Sequence, residues 1–146
     1  MPNAIDLGRR FLEIPKTGNF PTNHYFDFAR GQGKLLRWND VLSKRCAIVL
    51  GEAGSGKTTE FKYRVRICRE QGGNAFFVPI EALASDGLPH GLQKPEDAEG
   101  FEAWRAGDSI AFFFLDSLDE AKLRRYKLAD ALRKLGHGIG STPIDR

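Results

Sequence analysis

The sequence predicts an α/β protein of three layers, with helices on both faces of a mostly parallel sheet, and three observations carry that reading. Three unbroken apolar runs, Cys46–Leu50 (CAIVL), Ala75–Ile80 (AFFVPI) and Ile110–Leu115 (IAFFFL), have the continuity of strands buried on both faces. The stretches between them space their apolar residues at helical intervals. The chain has 146 residues, 41% hydrophobic and 28% charged, which is room for one domain with a packed core and the ordinary mix of a globular protein.

The elements follow in order. Residues 1–33 read as an irregular arm, punctuated by Pro15, Gly18, Pro21 and Gly31, with a short helix near Ile5–Leu12. Residues 34–146 then form the α/β domain. In Lys34–Lys44 the residues Leu35, Trp38 and Leu42 fall at i, i+3 and i+7, one face of a short amphipathic helix. Cys46–Leu50 follows as the first strand. Lys57–Gln71 is helical: Phe61, Val65 and Cys68 make an apolar face beside a basic stripe of Lys62, Arg66 and Arg69, and Gly72-Gly73 stops it. Ala75–Ile80 is a second strand, in which Pro79 marks an edge or an end because it cannot donate to a ladder. Ser85–Pro95 is a Gly/Pro-interrupted loop, Glu96–Ala106 a helix carrying Phe101 and Trp104, and Ile110–Leu115 a third strand. Leu123, Tyr126, Leu128, Leu132 and Leu135 define a last helix closed by Gly136.

Between the first strand and the first long helix, Gly51-Glu52-Ala53-Gly54-Ser55-Gly56-Lys57-Thr58 satisfies G-x-x-x-x-G-K-[ST], the phosphate-binding P-loop motif. The residue types answer to chemistry. Glycines let the loop wrap so that backbone N–H groups converge on phosphate oxygens, and the helix start adds the positive end of its dipole. Lys57 offers a point charge to the β- and γ-phosphates, and Thr58 a hydroxyl to Mg²⁺. Gly51 through Thr58, with Thr59 next to it, are therefore the candidate nucleotide contacts.

Such a loop needs a carboxylate at the end of a neighbouring strand to hold the magnesium, directly or through water. Asp116 closes the run Phe112-Phe113-Phe114-Leu115, at the strand edge where ligands bind in open α/β sheets; with Thr58 it is the candidate metal pair. Asp119 and Glu120 follow in the same turn. Either can orient or deprotonate the water that attacks the γ-phosphate, and either can instead be a first-turn acid favoured by the dipole of the next helix.

The pairing of GEAGSGKTT with FFFLDSLDE resembles the NACHT group of STAND P-loop ATPases, whose second motif is similarly an apolar strand followed by Asp, a small residue, an apolar residue, Asp and an acid. The resemblance covers roughly Trp38–Leu123. It implies that the nucleotide is ATP, that Asp116 helps hold Mg²⁺, that Asp119 is the favoured catalytic acid with Glu120 beside it, and that ATP binding drives assembly of a switch, in many bacterial members one that senses invaders. The family's sheet has a further strand with a polar sensor residue, and later segments bring an arginine and a winged-helix lid. None of these follows before Arg146, so the domain is expected to be an incomplete P-loop NTPase, sensor strand and lid absent, and an ATPase once the missing strands complete the sheet. The rival expectation is a truncated, non-catalytic nucleotide-binding or interaction fragment that needs a partner or the missing C-terminal region.

Other classes are weaker. Lys and Arg total 22 against 19 acids, a net +3, too small an excess to argue nucleic-acid binding, and the stripe Lys62, Arg66, Arg69 reads as a solvated face. Trp38 reads as core rather than as an adenine platform. His24, His90 and His137 are isolated among turn formers, without metal-ligand spacing. Cys46 and Cys68 read as reduced core thiols. No apolar run approaches a membrane span and the N-terminus has no secretory h-region, so the chain is expected in the cytoplasm.

Overall fold

The computed structural model describes residues 8–13, 34–49, 51, 54–116 and 125–140. They divide between two compact units, Met1–Gly51 and Glu52–Arg146.

In the first unit, β1 (Phe11–Leu12) pairs antiparallel with β2 (Leu35–Leu36). The helix α1 (Trp38–Leu42) follows directly. The expected helices therefore differ from the observed elements. Of the helix read near Ile5–Leu12, Ile5–Leu7 lie outside the described residues and Phe11 and Leu12 are extended; the helix read over Lys34–Lys44 shrinks to five residues. The reason is local: the Arg37 N–H donates to the Asp40 carboxylate at 2.7 Å, which makes Arg37 an extended N-cap and starts the helix only at Trp38. Trp38 is buried and meets the Phe11 ring edge-on at 4.9 Å, so it is core. Cys46–Val49 is not a strand: Cys46 and Ile48 are exposed, Ile48 at 70%. Leu50 lies outside the described residues. An unbroken apolar strand needs ladder partners for its backbone, and the described strands of this unit are only the two residue pairs of β1 and β2.

The second unit begins with α2 (Lys57–Glu70), followed by β3 (Asn74–Pro79), α3 (Ile80–Asp86), α4 (Pro95–Arg105), β4 (Ala111–Asp116) and α5 (Arg125–Ile139). The strands β3 and β4 are parallel, in register from Asn74 opposite Ala111 to Pro79 opposite Asp116; α3 and α4 make the crossover that parallel pairing requires. Side chains alternate across the sheet. Phe76, Val78, Phe113 and Leu115 point into the main core with Leu83 of α3, Phe101 of α4 and Ala131 of α5. On the other face α2 lies over both strands, its Phe61 ring 5.6 Å from Phe114. Helices thus cover both faces of a two-stranded parallel sheet, a mixed α/β arrangement.

Several ends have identifiable causes. After α2, Gly72 takes φ +80°, its N–H bonds Arg69 O at 2.9 Å and the Gly73 N–H bonds Cys68 O at 2.9 Å, a left-handed glycine stop that satisfies the last carbonyls. Pro79 is the final residue of β3 and the N-cap of α3. The helix α3, which falls where the sequence reading placed only a strand end and a loop, buries Ile80 and Leu83. The last helix does not close at Gly136 but runs to Ile139, and the left-handed residue is Gly140, φ +87°. Gly136 keeps the helix going because a glycine is permitted, not obliged, to leave it. Tyr126 lies on that helix; Leu123 is outside the described residues. Among the described residues no helix is long and apolar enough to cross a membrane.

Candidate functional site

The site is built where the start of α2 meets the end of β4. The loop before α2 contains two left-handed residues, Gly54 (φ +74°) and Gly56 (φ +81°), conformations that cost a side-chain-bearing residue about 1–2 kcal/mol. Gly56 is the N-cap of α2 and, as a glycine, offers no side-chain cap of its own. The positive end of the helix dipole lies at this terminus, next to the loop.

Thr58, second residue of α2, donates its hydroxyl to Asp116 Oδ2 at 2.8 Å. Thr58 is exposed and Asp116 is buried, 8% exposed at the last position of β4. The α2 axis therefore runs antiparallel to the strands, bringing the loop to their carboxyl ends. One motif supplies the hydroxyl and the other the carboxylate.

The remaining candidates sort as follows. Lys57 opens α2 and is half-buried; Thr59 is exposed. Ser55 is half-buried, and its Oγ is itself enclosed with no hydrogen-bond partner among the described residues. A buried hydroxyl left without a partner is costly, and this one stands between the left-handed Gly54 and Gly56. Gly51 is exposed and belongs to the first unit. Glu52, Ala53, Asp119 and Glu120 lie outside the described residues.

The donor set fits magnesium. Thr58 and Asp116 offer hard oxygens, and Mg²⁺ takes one or two protein oxygens and completes its octahedron with water and phosphate. Among the described residues no group of three or more His, Cys, Asp or Glu gathers into a metal site.

Sequence reasoning missed two polar features next to the site. Glu60 and Arg64, on the two turns of α2 after Thr58, form a nearly buried ion pair at 3.1 Å; their i, i+4 spacing was visible, their burial was not. Arg69 is exposed, as the solvated-stripe reading has it, but it also donates from Nε to Ala75 O at 2.8 Å and from Nη1 to Asp97 Oδ1 at 2.7 Å. Lys62 and Arg66 are likewise exposed, with the Lys62 ammonium over the Phe77 ring at 5.0 Å. Cys46 is exposed rather than core, while Cys68 is buried. No protein-family model, curated protein or solved structure matches the chain.

Proposed function

We propose that this chain is an ATP- and Mg²⁺-binding P-loop module with ATPase chemistry, a NACHT/STAND-type switch of the kind found in bacterial defence or signalling. The observation that carries the reading is the 2.8 Å hydrogen bond between Thr58 and Asp116. Two residues 58 positions apart, each singled out by its own motif and each assigned to the same cation, stand in contact. The left-handed glycines at 54 and 56, placed directly before the N-terminus of α2, add a loop suited to phosphate oxygens.

In this reading the loop amides and the Lys57 ammonium bind the triphosphate and orient its γ end. Thr58 Oγ and the Asp116 carboxylate hold the magnesium ion, which when bound neutralises charge on the β- and γ-phosphates. The Ser55 hydroxyl gains a phosphate or water partner. Asp119, followed in sequence by Glu120, would orient the water that attacks the γ-phosphate or accept its proton.

A fluorescent ATP analogue tests binding: affinity is expected to depend on Mg²⁺ and to fall at least tenfold in Lys57→Ala, the loss of one fully engaged charged contact. Phosphate release tests hydrolysis, with Asp119→Ala expected to retain binding and lose release. Absence of Mg²⁺-dependent binding in the wild-type chain would sink the reading. A second reading, nucleotide binding without hydrolysis, is favoured by one observation: the segment leading into the loop is coil with Ile48 exposed. Wild-type binding with no phosphate release selects it.

A further inference from the structure

We infer that Arg69 is a positioning residue for the Thr58–Asp116 pair, holding α2 in axial register over the sheet from its far end; the inference rests on the nucleotide-site reading above. Thr58 stands in the first turn of α2 and Arg69 in the last, about 16 Å apart along the axis at the α-helical rise. Each end is pinned by directional bonds. At the start, Thr58 donates to Asp116 at the carboxyl end of β4. At the other end, Arg69 Nε donates to Ala75 O near the amino end of β3, at 2.8 Å, and Nη1 to the Asp97 carboxylate, at 2.7 Å.

Asp97 belongs to the first turn of α4, on the face of the sheet opposite α2, and its side chain is only 11% exposed. The guanidinium carbon lies 5.7 Å from the Phe76 ring centroid, and Phe76 belongs to the α4 face of β3. A single side chain therefore joins the helix of one layer, a strand of the middle layer and the helix of the other. Its fork is what permits this: two N–H groups leave one rigid plane toward a carbonyl and a carboxylate, which the point charge of a lysine cannot reproduce.

Between these two ends α2 packs Phe61 on Phe114 and buries Val65 and Cys68. Such contacts are non-directional in their energy, so the two bonds of Arg69 add a directional axial restraint at this end of the helix. A hydrogen bond of 2.8 Å does not survive an axial slip of about 1 Å. Releasing Arg69 thus loosens the distance between Thr58 and Asp116 without touching either.

The test uses the full chain with Arg69→Gln, and with Arg69→Lys as the milder variant that keeps the charge and one bond. In the ligand-free chain, amide hydrogen exchange of residues 60–64, followed by mass spectrometry, is expected to accelerate about threefold to tenfold in Arg69→Gln, and less in Arg69→Lys. With the fluorescent ATP analogue, the half-saturating Mg²⁺ concentration rises by a similar factor, while binding in EDTA stays within about twofold of wild type. Acceleration confined to residues 67–75 overturns the inference and leaves Arg69 a local brace; a uniform acceleration over the whole chain, the mark of global destabilisation, overturns it as well. Should the wild-type chain bind no nucleotide, the nucleotide-site reading fails, and the exchange pattern alone still decides whether the two ends of α2 are coupled.

Discussion

Thr58 and Asp116 depend on each other unequally. Asp116 is buried and Thr58 exposed, so removing the hydroxyl leaves a carboxylate short of a partner, whereas removing the carboxylate leaves a hydroxyl that water can reach. Thr58→Val keeps the side-chain shape and is expected to cost about 1–3 kcal/mol, towards the lower end because the bond is partly open to water. The measurement is the urea midpoint at unchanged slope; a wild-type midpoint would mean that the bond is not formed in solution. Asp116→Asn retains an acceptor oxygen for Thr58, so its stability is expected within about 1 kcal/mol of wild type, while Mg²⁺-dependent nucleotide binding is lost. The two thiols separate in the same residue-by-residue way. Burial pushes the Cys68 thiol above its ordinary range, and the nearby Arg64 charge offsets this only in part. As pH rises the unfolded chain loses its thiol proton first, so the folded state binds more protons and stability falls from about pH 8.5 upward, until the folded thiol ionises too. At neutral pH a thiol reagent is expected to label exposed Cys46 quickly and Cys68 only at the rate of opening; equal rates at both would contradict the burial.

At the scale of elements, α5 is fitted to the loop after α3 by a missing side chain. A Cβ on Gly138 would lie 2.6 Å from Leu88 Cβ, closer than two carbons tolerate. The contact is reinforced by Lys134 Nζ on the carbonyls of Ala84 and Ser85, which sit at the C-terminal end of α3, where carbonyls have no intrahelical partner. Gly138→Ala is expected to force α5 away from Leu88 and to cost about 1–3 kcal/mol by overpacking, against a gain of up to about 1 kcal/mol from helix propensity; thermal unfolding reads the sum, and a stabilised variant would show that the two elements do not touch. The elements legible from sequence are those whose signals are local and redundant. In α2, apolar spacing, a basic stripe and a glycine stop agree; in α4, Pro95 at the first turn precedes Phe101 and Trp104 at i and i+3. What escaped reading is settled by partners distant in the chain. Phe11 and Leu12 are a strand because Leu36 and Leu35 pair with them, and α3 is too short, at seven residues, to show a helical period. The contact of Thr58 with Asp116 was foreseeable because each motif carries its own chemistry; the Arg69 bridge was not, because nothing in the sequence around Arg69 or Asp97 announces the other.

For the whole molecule, the discrepancy with the largest consequence is the run Cys46–Leu50. Its composition is as apolar as that of β4, yet β4 lies between α2 and the main core beside a parallel partner, whereas Cys46–Val49 is coil with Ile48 70% exposed. Hydrophobicity marks a segment as able to be buried; burial also requires that its amides and carbonyls find partners. A charge at position 48 separates the two conditions. Ile48→Asp places a carboxylate on a side chain already facing solvent, so its effect on stability is expected below about 0.5 kcal/mol. Phe101→Ala serves as the reference for a residue of the main core: the ring is 0% exposed and packs on Phe76 and Trp104, and its loss is expected to cost about 3–5 kcal/mol. Denaturant unfolding of both variants under one set of conditions makes the comparison. If Ile48→Asp proved as costly as Phe101→Ala, the run would be buried and paired in solution, and the first strand read from sequence would stand in place of the coil.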